Sequence, residues 1–340
     1  APHQGMNLLA LAYLLLDRPM QKRFEKEPLF QATMLLLQER VPKITSFFPH
    51  TAEIADLQGP AAEGGTPVRI FNSPETRSPA VQLLSNGRYH VMITNAGGGY
   101  SRWRDQAVTR WREDSTCDNW GAFCYVRDVD SGRYWSTTHQ PVLAPATHFE
   151  TVFSEGRAEF RSRHDEIDAY TEVVVSSEDD VEVRRVTLTN RSRRPKALDI
   201  TSYAEVVLAP PAGDALHPAF SNLFVQTEII RPQRAILCTR RPRSIEEETP
   251  FLFHLMAVHG AEVSDVSYET DRLRFVGRGN TVAAPQAMSG GAEFFTGALS
   301  GSEGSVLDPI VAIRSRIMLE PEGSVTINIV SGIGATRDEA

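Results

Sequence analysis

All four tryptophans of the chain lie within residues 85–135, interspersed with arginines and aspartates. An indole ring can stack on the apolar face of a sugar, and charged side chains form strong, directional hydrogen bonds with its hydroxyls. A protein core seldom contains so many charges, and a solvated face seldom contains so much tryptophan. The mixture therefore favours a surface that contacts carbohydrate. The candidate binding residues are Trp103, Arg104, Arg110, Trp111, Asp114, Trp120, Arg127, Asp128 and Trp135.

A structural interpretation of the same stretch stays open. Any one tryptophan could belong to a network of arginine–aspartate pairs that covers the edge of a sheet, and Asp128 fits an Asx-type turn. The three glycines at 97–99 permit positive φ and predict a sharp bend. A phosphate-binding nest is the alternative for them, although no phosphate-loop motif follows.

An acidic cluster at residues 164–168 (His-Asp-Glu-Ile-Asp) is the second place where chemistry could occur. Glycoside hydrolysis uses paired carboxylates, so these side chains are candidates for that role. A solvated turn at the start of a strand is the more ordinary interpretation. We therefore assign no catalytic residue from the sequence.

Several classes of function are disfavoured by composition. A net charge of -8 and a pI near 5.7 argue against nucleic-acid binding. The nine histidines and three cysteines lack the spacing of metal ligands, so we expect no metal and no cofactor. The cysteines suggest reduced thiols in the cytoplasm. The longest apolar run, residues 6–16, is shorter than the ~20 residues that span a bilayer, so this segment is not expected to contact a membrane.

Three regions follow from the sequence pattern. Residues 1–43 predict two short helices, one over 5–17 and one from Pro28 to about Val41. We interpret this segment as the end of a preceding helical domain. Residues 44–67 lose periodicity and predict a linker.

Residues 68–340 predict strands almost throughout. Two apolar segments flank Asn86-Gly87 as a hairpin, and later runs alternate or remain apolar over strand lengths. The strands predicted after the hairpin include residues 172–175, 182–190, 197–208, 223–229, 251–258 and 324–330. Because helical windows are few, the fold class predicted is mainly β, a large antiparallel sandwich.

Several passages closely resemble glycoside hydrolase family 94. They are residues 84–103, 109–114, 125–128, 135–136 and 307–323. The family includes the cellobiose and chitobiose phosphorylases and the C-terminal part of cyclic beta-1,2-glucan synthases. Residues 3–11 and 36–42 also resemble the junction, in those synthases, between a helical domain and the phosphorylase-like part.

The resemblance implies a β-supersandwich of the galactose-mutarotase-like type. It also implies that the catalytic general acid belongs to an (α/α)6 barrel that follows the sandwich. We therefore expect a non-catalytic domain, inactive alone, that shapes or binds β-glucan for a glycosyltransferase or glycoside phosphorylase. Its expected partners are a β-glucan oligosaccharide and the catalytic barrel domain of the same polypeptide.

Other functions stay open at this point. The chain could be an autonomous carbohydrate-binding module, or a purely structural domain that supports a homodimer. A mutarotase-like or hydrolytic activity would require residues 164–168 to line a cleft. We expect the parent protein to act in cyclic beta-1,2-glucan synthesis on the cytoplasmic side, as part of a larger protein that could be anchored in a membrane.

Overall fold

The computed structural model describes residues 2–27, 68–114, 116–242, 249–289 and 298–340. The chain divides into two units, Ala1–Ala62 and Glu63–Ala340, and each is described by itself. None of the described helices has the length and apolar composition needed to cross a lipid bilayer.

The described part of the first unit, residues 2–27, forms two short helices, α1 (Pro2–Leu15) and α2 (Pro19–Phe24). The helix predicted over 5–17 is present but ends earlier, because Asp17 and Arg18 adopt positive φ. Pro19 then occupies the first turn of α2, where its missing N–H costs nothing. The helix predicted from Pro28 and the linker predicted at 44–67 lie outside the described residues.

The second unit is a sandwich of two sheets, in which every strand pairing is antiparallel. The first sheet, in spatial order, consists of β1 (Arg69–Phe71), β8 (His148–Ser154), β9 (Arg157–His164), β10 (Ile167–Val175), β11 (Val181–Asn190), β18 (Ser324–Gly334), β15 (Phe251–His259), β14 (Ala235–Arg240) and β13 (Val225–Ile230). This confirms the predicted mainly β, antiparallel fold.

The second sheet is built around its longest strand, β12. Its strands are β16 (Val263–Asp271), β17 (Pro309–Leu319), β12 (Lys196–Ala209), β5 (Gln106–Thr109), β4 (Gly99–Trp103), β3 (Tyr89–Thr94) and β2 (Val81–Ser85), with β6 (Phe123–Asp128) on β12 and β7 (Tyr134–Ser136) on β6. The predicted hairpin is β2–β3. Its turn is closed by Asn86, whose Oδ1 accepts the backbone N–H of Tyr89 at 2.7 Å.

The core lies between the two sheets and follows from alternation along the strands. In β9, Phe160 points inward while Arg161 and Arg163 point to solvent. Phe160 and Leu188 from the first sheet belong to the same apolar cluster as Ile200 from the second. Burial of each such side chain contributes roughly 1.5–3 kcal/mol to the free energy of unfolding.

The outer face of the second sheet is covered as well. Two further short helices, α5 (Arg272–Val276) and α6 (Gln286–Ser289), contribute to a separate apolar cluster with aromatic residues of β6 and β12. After β12 the chain forms α3 (Pro211–Leu216) and α4 (Pro218–Asn222). A 3-10 turn, Arg231–Gln233, separates β13 from β14. Because β12 is covered on both faces, even its carboxylates Asp199 and Glu205 are buried.

Candidate functional site

The site begins on β4, where alternation separates two kinds of side chain. Ser101 and Trp103 are buried toward the core, whereas Tyr100 and Arg102 are only partly buried. Strand β5 then returns along β4 and ends at Thr109. The described residues from 110 to 122 form no helix or strand, so this loop can fold over the outward side chains of β4.

A cavity of about 400 Å³ lies where this loop meets β4 and α3, and we call it the Trp111 cavity. Trp111 is 37% exposed, and its ring contacts Tyr100 edge to face with 5.6 Å between centroids. The Arg102 guanidinium lies 4.8 Å from the Tyr100 ring centroid. The complete wall is formed by Tyr100, Arg102, Ala107, Thr109, Arg110, Trp111, Arg112, Glu113, Val207, Pro211, Asp214 and Ala215.

Arg110 anchors the floor of the cavity through a buried hydrogen-bonded network. Its Nη1 lies 2.9 Å from Glu205 Oε2 and 3.0 Å from Asp308 Oδ1. Its Nη2 donates to Asn222 Oδ1 at 2.6 Å and reaches Asp214 Oδ1 at 3.4 Å. One guanidinium thus joins β5 to β12, to both helices that follow β12, and to the segment before β17.

Two more arginines complete the network and balance its charge. Arg272 Nε donates to Glu205 Oε1 at 2.7 Å, and Arg112 Nη2 donates to Asp214 Oδ2 at 3.1 Å. With Arg110, three arginines face the three carboxylates Glu205, Asp214 and Asp308. We call these six residues and Asn222 the Arg110 network. Its pairing offsets the high cost of removing charges from water.

The pKa values within the network reflect both burial and pairing. Burial opposes the charge on Arg110, but Glu205, Asp214 and Asp308 outweigh it and raise the Arg110 pKa above its ordinary value. For the acid Asp308, burial has the opposite effect and raises the pKa. The nearby charge of Arg110 lowers that pKa but does not fully offset the effect of burial. Arg110 is therefore charged at neutral pH.

The Trp111 cavity offers contacts for binding. Its aromatic edge and the donors of Arg102 and Arg112 suit the C–H faces and oxygens of a sugar. The one carboxylate that it shares with the Arg110 network, Asp214, is held by an arginine at each oxygen. The cavity has the chemistry of a binding surface.

The other tryptophans occupy three different places. Trp103 is buried, donates its Nε1 to Asp180 Oδ2 at 2.6 Å and lies under the Arg104 guanidinium, 4.3 Å from the ring centroid. Trp135 is buried on β7 and stacks on His164. Trp120 is half-buried in the loop, and its carbonyl accepts the N–H of Gly99 at 2.6 Å.

The remaining candidates also lie away from the cavity. Asp114 is exposed and accepts the backbone N–H of Thr116 at 2.8 Å. Arg127 lies 3.5 Å from the buried Asp199 on the outer face of the second sheet. Asp128 forms the Asx-type turn, accepting the N–H of Ser131 at 3.0 Å and pairing with Lys196 at 2.9 Å. Of the nine candidates, the cavity brings together Arg110 and Trp111.

The glycine bend holds the loop against β3. All three N–H groups of Gly97, Gly98 and Gly99 are used within the protein, by Thr94 and Trp120, and this use speaks against a phosphate nest. A Cβ at Gly99 would lie 1.9 Å from the carbonyl oxygen of Met92. The bend therefore works through close backbone approach.

The acidic cluster at 164–168 is the turn between β9 and β10. Asp165 has a φ of 54° and pairs with Arg133 at 2.6 Å. Asp168 borders an open groove of about 500 Å³. Its Oδ2 accepts hydrogen bonds from Arg163 Nη2 at 3.1 Å and from Arg191 Nε at 2.7 Å. These arginines hold the pKa of Asp168 below its usual range, so it is ionised at neutral pH and unsuited to donate a proton.

The sequence interpretation did not identify several residues of the site. Tyr100 and Arg102 could have been found, because period-two alternation along β4 places them opposite Trp103. Glu205, Asp214 and Asp308 could not, since they are separated from Arg110 by 95 to 198 positions. Among the described residues, no group of three His, Cys, Asp or Glu side chains could hold a metal ion.

Comparison with known proteins gives one family. The family described as "Glycosyl hydrolase 94, supersandwich domain" matches residues 65–340. The chain is 37% identical over 324 residues to the cyclic beta-(1,2)-glucan synthase NdvB of Rhizobium meliloti, a match that covers 95% of this chain and 11% of that protein.

Two phosphorylases are more distant relatives. Identity is 24% over 275 residues to the N,N'-diacetylchitobiose phosphorylase of Vibrio furnissii, covering 79% of this chain and 33% of that protein. The chain is also 24% identical over 276 residues to the solabiose phosphorylase of Paenibacillus borealis. That match covers 80% of this chain and 34% of that protein. The chain thus spans between about a tenth and a third of the length of these relatives. The chain belongs to glycosyl hydrolase family 94, and residues 65–340 are its supersandwich domain.

Proposed function

We propose that this chain is an accessory supersandwich of a larger carbohydrate-active enzyme, of the cyclic β-(1,2)-glucan synthase or glycoside phosphorylase type. In this role it holds part of a β-glucan chain in the Trp111 cavity, while another part of the polypeptide carries out the chemistry. The observation that carries the proposal is the cavity itself, where Trp111 and Tyr100 stand beside the donors of Arg102 and Arg112.

The relatives support a role in general sugar contact. They are named for different sugars, a β-(1,2)-glucan, N,N'-diacetylchitobiose and solabiose, yet all match this region. A function common to them is contact with sugar rings, which all of these compounds contain. Recognition of one linkage would then belong to a part of each protein that differs among them.

The states of two acidic residues support this separation of binding from catalysis. Cleavage or transfer of a glycoside needs a proton donor whose pKa lies near the working pH. Asp168, which borders a groove, has a lowered pKa, and Asp214 is occupied by two arginines. The acid is therefore proposed to lie in the catalytic barrel domain of the same polypeptide.

The test is isothermal titration calorimetry of the chain with β-(1,2)-linked gluco-oligosaccharides. An accessory domain should bind them weakly, with a Kd of about 1 mM. Trp111→Ala should weaken binding about tenfold, which corresponds to loss of about 1.4 kcal/mol of ring contact. Trp120→Ala is the matched control, because Trp120 lies in the same loop but does not line the cavity.

Each alternative gives a different result in this titration. A micromolar Kd that Trp111→Ala weakens would indicate an autonomous carbohydrate-binding module. No binding, together with unchanged activity of the complete polypeptide carrying Trp111→Ala, would leave a purely structural or dimerisation domain. Turnover of a glucoside by this chain alone would contradict the proposed separation of binding from catalysis.

A further inference from the structure

The open groove on the outer face of the first sheet has binding chemistry of its own, and we call it the Asp168 groove. It measures about 500 Å³ and shares no wall residue with the Trp111 cavity, which lies on the second sheet. Alternation along β8 to β11 points most of its wall residues outward. The outward wall residues, with Arg191 from the turn after β11, are His148, Arg161, Arg163, Asp168, Tyr170, Thr187, Thr189 and Arg191.

Strand register brings these residues together in two neighbouring rows across β9, β10 and β11. The first row consists of Arg163, Asp168 and Thr189. The second row, two residues along each strand, consists of Arg161, Tyr170 and Thr187. Directly opposite side chains in antiparallel strands stand about 5 Å apart, so the two rows form one continuous surface.

The Asp168 groove carries more positive than negative charge. Its wall contains three arginines and one aspartate. Glu150, beside the groove, pairs with Arg161 at 2.5 Å, which leaves one positive charge in excess. Further along the same strands two glutamates and two arginines balance each other: Glu159, Glu172, Arg157 and Arg185. In a chain of net charge -8, a locally positive groove is a place that attracts anions.

Asp168 shows how the arginines of this groove hold an oxyanion. Arg163 donates to both oxygens of its carboxylate, and Arg191 Nε donates to Oδ2 at 2.7 Å. A guanidinium has five N–H donors. The Nη groups of Arg191 form no hydrogen bond with any residue that the structure describes, and its side chain is 58% exposed. Arg191 therefore has donors left for a second oxyanion.

Groups that suit a sugar ring stand beside these donors. Tyr170 is half-buried in the middle of its row, and the Arg161 guanidinium lies 5.5 Å from its ring centroid. Thr187 and Thr189 add hydroxyls, which both donate and accept hydrogen bonds. An aromatic ring, hydroxyls and an open guanidinium match the C–H face, the hydroxyls and the acidic group of a single ligand.

We propose that the Asp168 groove binds an acidic sugar, that is, a saccharide that carries one carboxylate or phosphate group. The acidic group bonds to the open donors of Arg191, and the ring lies along Tyr170 and Thr187. This site differs from the Trp111 cavity in position and in ligand, because the cavity is proposed for a neutral β-glucan. The inference goes beyond the accessory function and does not depend on it.

The experiment is isothermal titration calorimetry of the 340-residue chain with D-glucuronate, glucose 6-phosphate, inorganic phosphate and glucose. Acidic sugars should bind with a Kd of about 1 mM, at least about fivefold more tightly than phosphate or glucose. Binding of only one acidic sugar supports the proposal and identifies the acidic group. Phosphate or glucose binding as tightly as the acidic sugars would overturn it, and so would the absence of binding by both acidic sugars.

A pair of matched variants tests the place of binding. Arg191→Gln removes the open donors and one charge, so the Kd for the acidic sugar should rise about fivefold. Arg185→Gln is the control, because Arg185 lies on the same face, is 55% exposed and does not line the groove. It should leave the Kd unchanged. Equal weakening by the two variants would show that overall charge, and not the groove, attracts the anion, and would overturn the proposal.

Asp168→Asn should have the opposite effect. It removes the internal competitor and frees donors of Arg163 and Arg191, so an acidic sugar should bind about threefold more tightly. An unchanged or higher Kd would overturn the proposal, because Asp168 would then only hold the arginines in place.

Competition separates this site from the one in the Trp111 cavity. A saturating neutral β-(1,2)-gluco-oligosaccharide should leave the Kd of the acidic sugar unchanged, since the two ligands occupy different sheets. Displacement of one by the other would place both in a single site and overturn the inference. Binding of the acidic sugar without any binding of the oligosaccharide would support this inference while counting against the proposed function.

Discussion

Asp214 and Asp168 each lie between two arginines, and the two sites differ in their access to water. Asp214 lies between Arg110 and Arg112 inside the Arg110 network, where Asp214 and Arg110 are buried. Asp168 lies between Arg163 and Arg191 on the outer face of the first sheet, and both of those arginines are about half exposed. The same combination of one aspartate and two arginines therefore has different effects on the folded state.

The difference comes from desolvation. At the surface, water screens the charges, and an ion pair typically contributes less than about 1 kcal/mol. In the interior the charges interact strongly, but each would cost several kcal/mol if it lost its partner. The Arg110 network thus ties the residues after β5 to β12, to the two helices that follow β12 and to the segment before β17. The exposed cluster around Asp168 joins only neighbouring positions on one sheet surface.

The largest expected effect is that of breaking the buried cluster. Arg110→Met removes the charge that Glu205, Asp214 and Asp308 share, so the free energy of unfolding should fall by about 3–5 kcal/mol. Circular dichroism recorded during urea unfolding measures this change in the free energy of unfolding. Arg112→Met is the matched control, because Arg112 is a third exposed and bonds only to Asp214 in this cluster, and it should cost about 1 kcal/mol. If the two variants lost equal amounts of unfolding free energy, burial would not be what makes Arg110 important.

His254 is a buried titratable group that has no counter-charge in its hydrogen bonds. Burial lowers the pKa of His254 to about 4, from an ordinary value of 6.5, and its ring nitrogens bond to Ser202 and Ser331. Between these two values the unfolded chain binds a proton that the folded chain does not. The free energy of unfolding should therefore fall as the pH drops from 6.5 to 4, by about 3 kcal/mol, and change no further from this group below pH 4.

The measurement for His254 is chemical unfolding at several pH values between 4 and 7. His254→Gln keeps a polar side chain but cannot titrate, so its stability should depend less on pH within this window. The difference between the two curves isolates His254 from other histidines. If the stability of both proteins changed with pH in the same way, the pKa of His254 would not be lowered in the folded state.

The smallest effect is expected at the exposed cluster. Asp168→Asn should lower the free energy of unfolding by no more than about 1 kcal/mol at neutral pH and low salt. Because pairing lowers the folded-state pKa of Asp168, its contribution is present above the unfolded value and is lost as the pH falls through the folded value. Unfolding in 0.1 M and about 1 M salt checks this, since salt should remove most of the difference. If Asp168→Asn lowered the free energy of unfolding as much as Arg110→Met does, exposure to water would not explain the difference between the two clusters.

Much of the fold could be predicted from the sequence, because strand patterns are local. Alternation placed the β2–β3 hairpin and strands such as β11 and β15, and long motif passages identified the family. Strand order could not be derived in the same way. The last strand pairs with β11 and β15, which are far from it in sequence.

The candidate site was predictable only in part, for a similar reason. Composition marks the tryptophan stretch as unusual, but composition alone cannot separate Trp103, which points inward, from Trp111, which lines a cavity. The alternation on β4 could have made that distinction. The Arg110 network had no local signal, because its carboxylates come from segments that meet only in the folded sheet.

The position of β18 has a consequence for the order in which this domain is made. It is the last strand in the sequence, yet it lies inside the first sheet, between β11 and β15. While the chain emerges from the ribosome, both neighbours have an unpaired edge until residues 324–334 are available. Such edges are prone to pair with other chains. A chain stopped before residue 324 would therefore leave β11 and β15 each with an open edge.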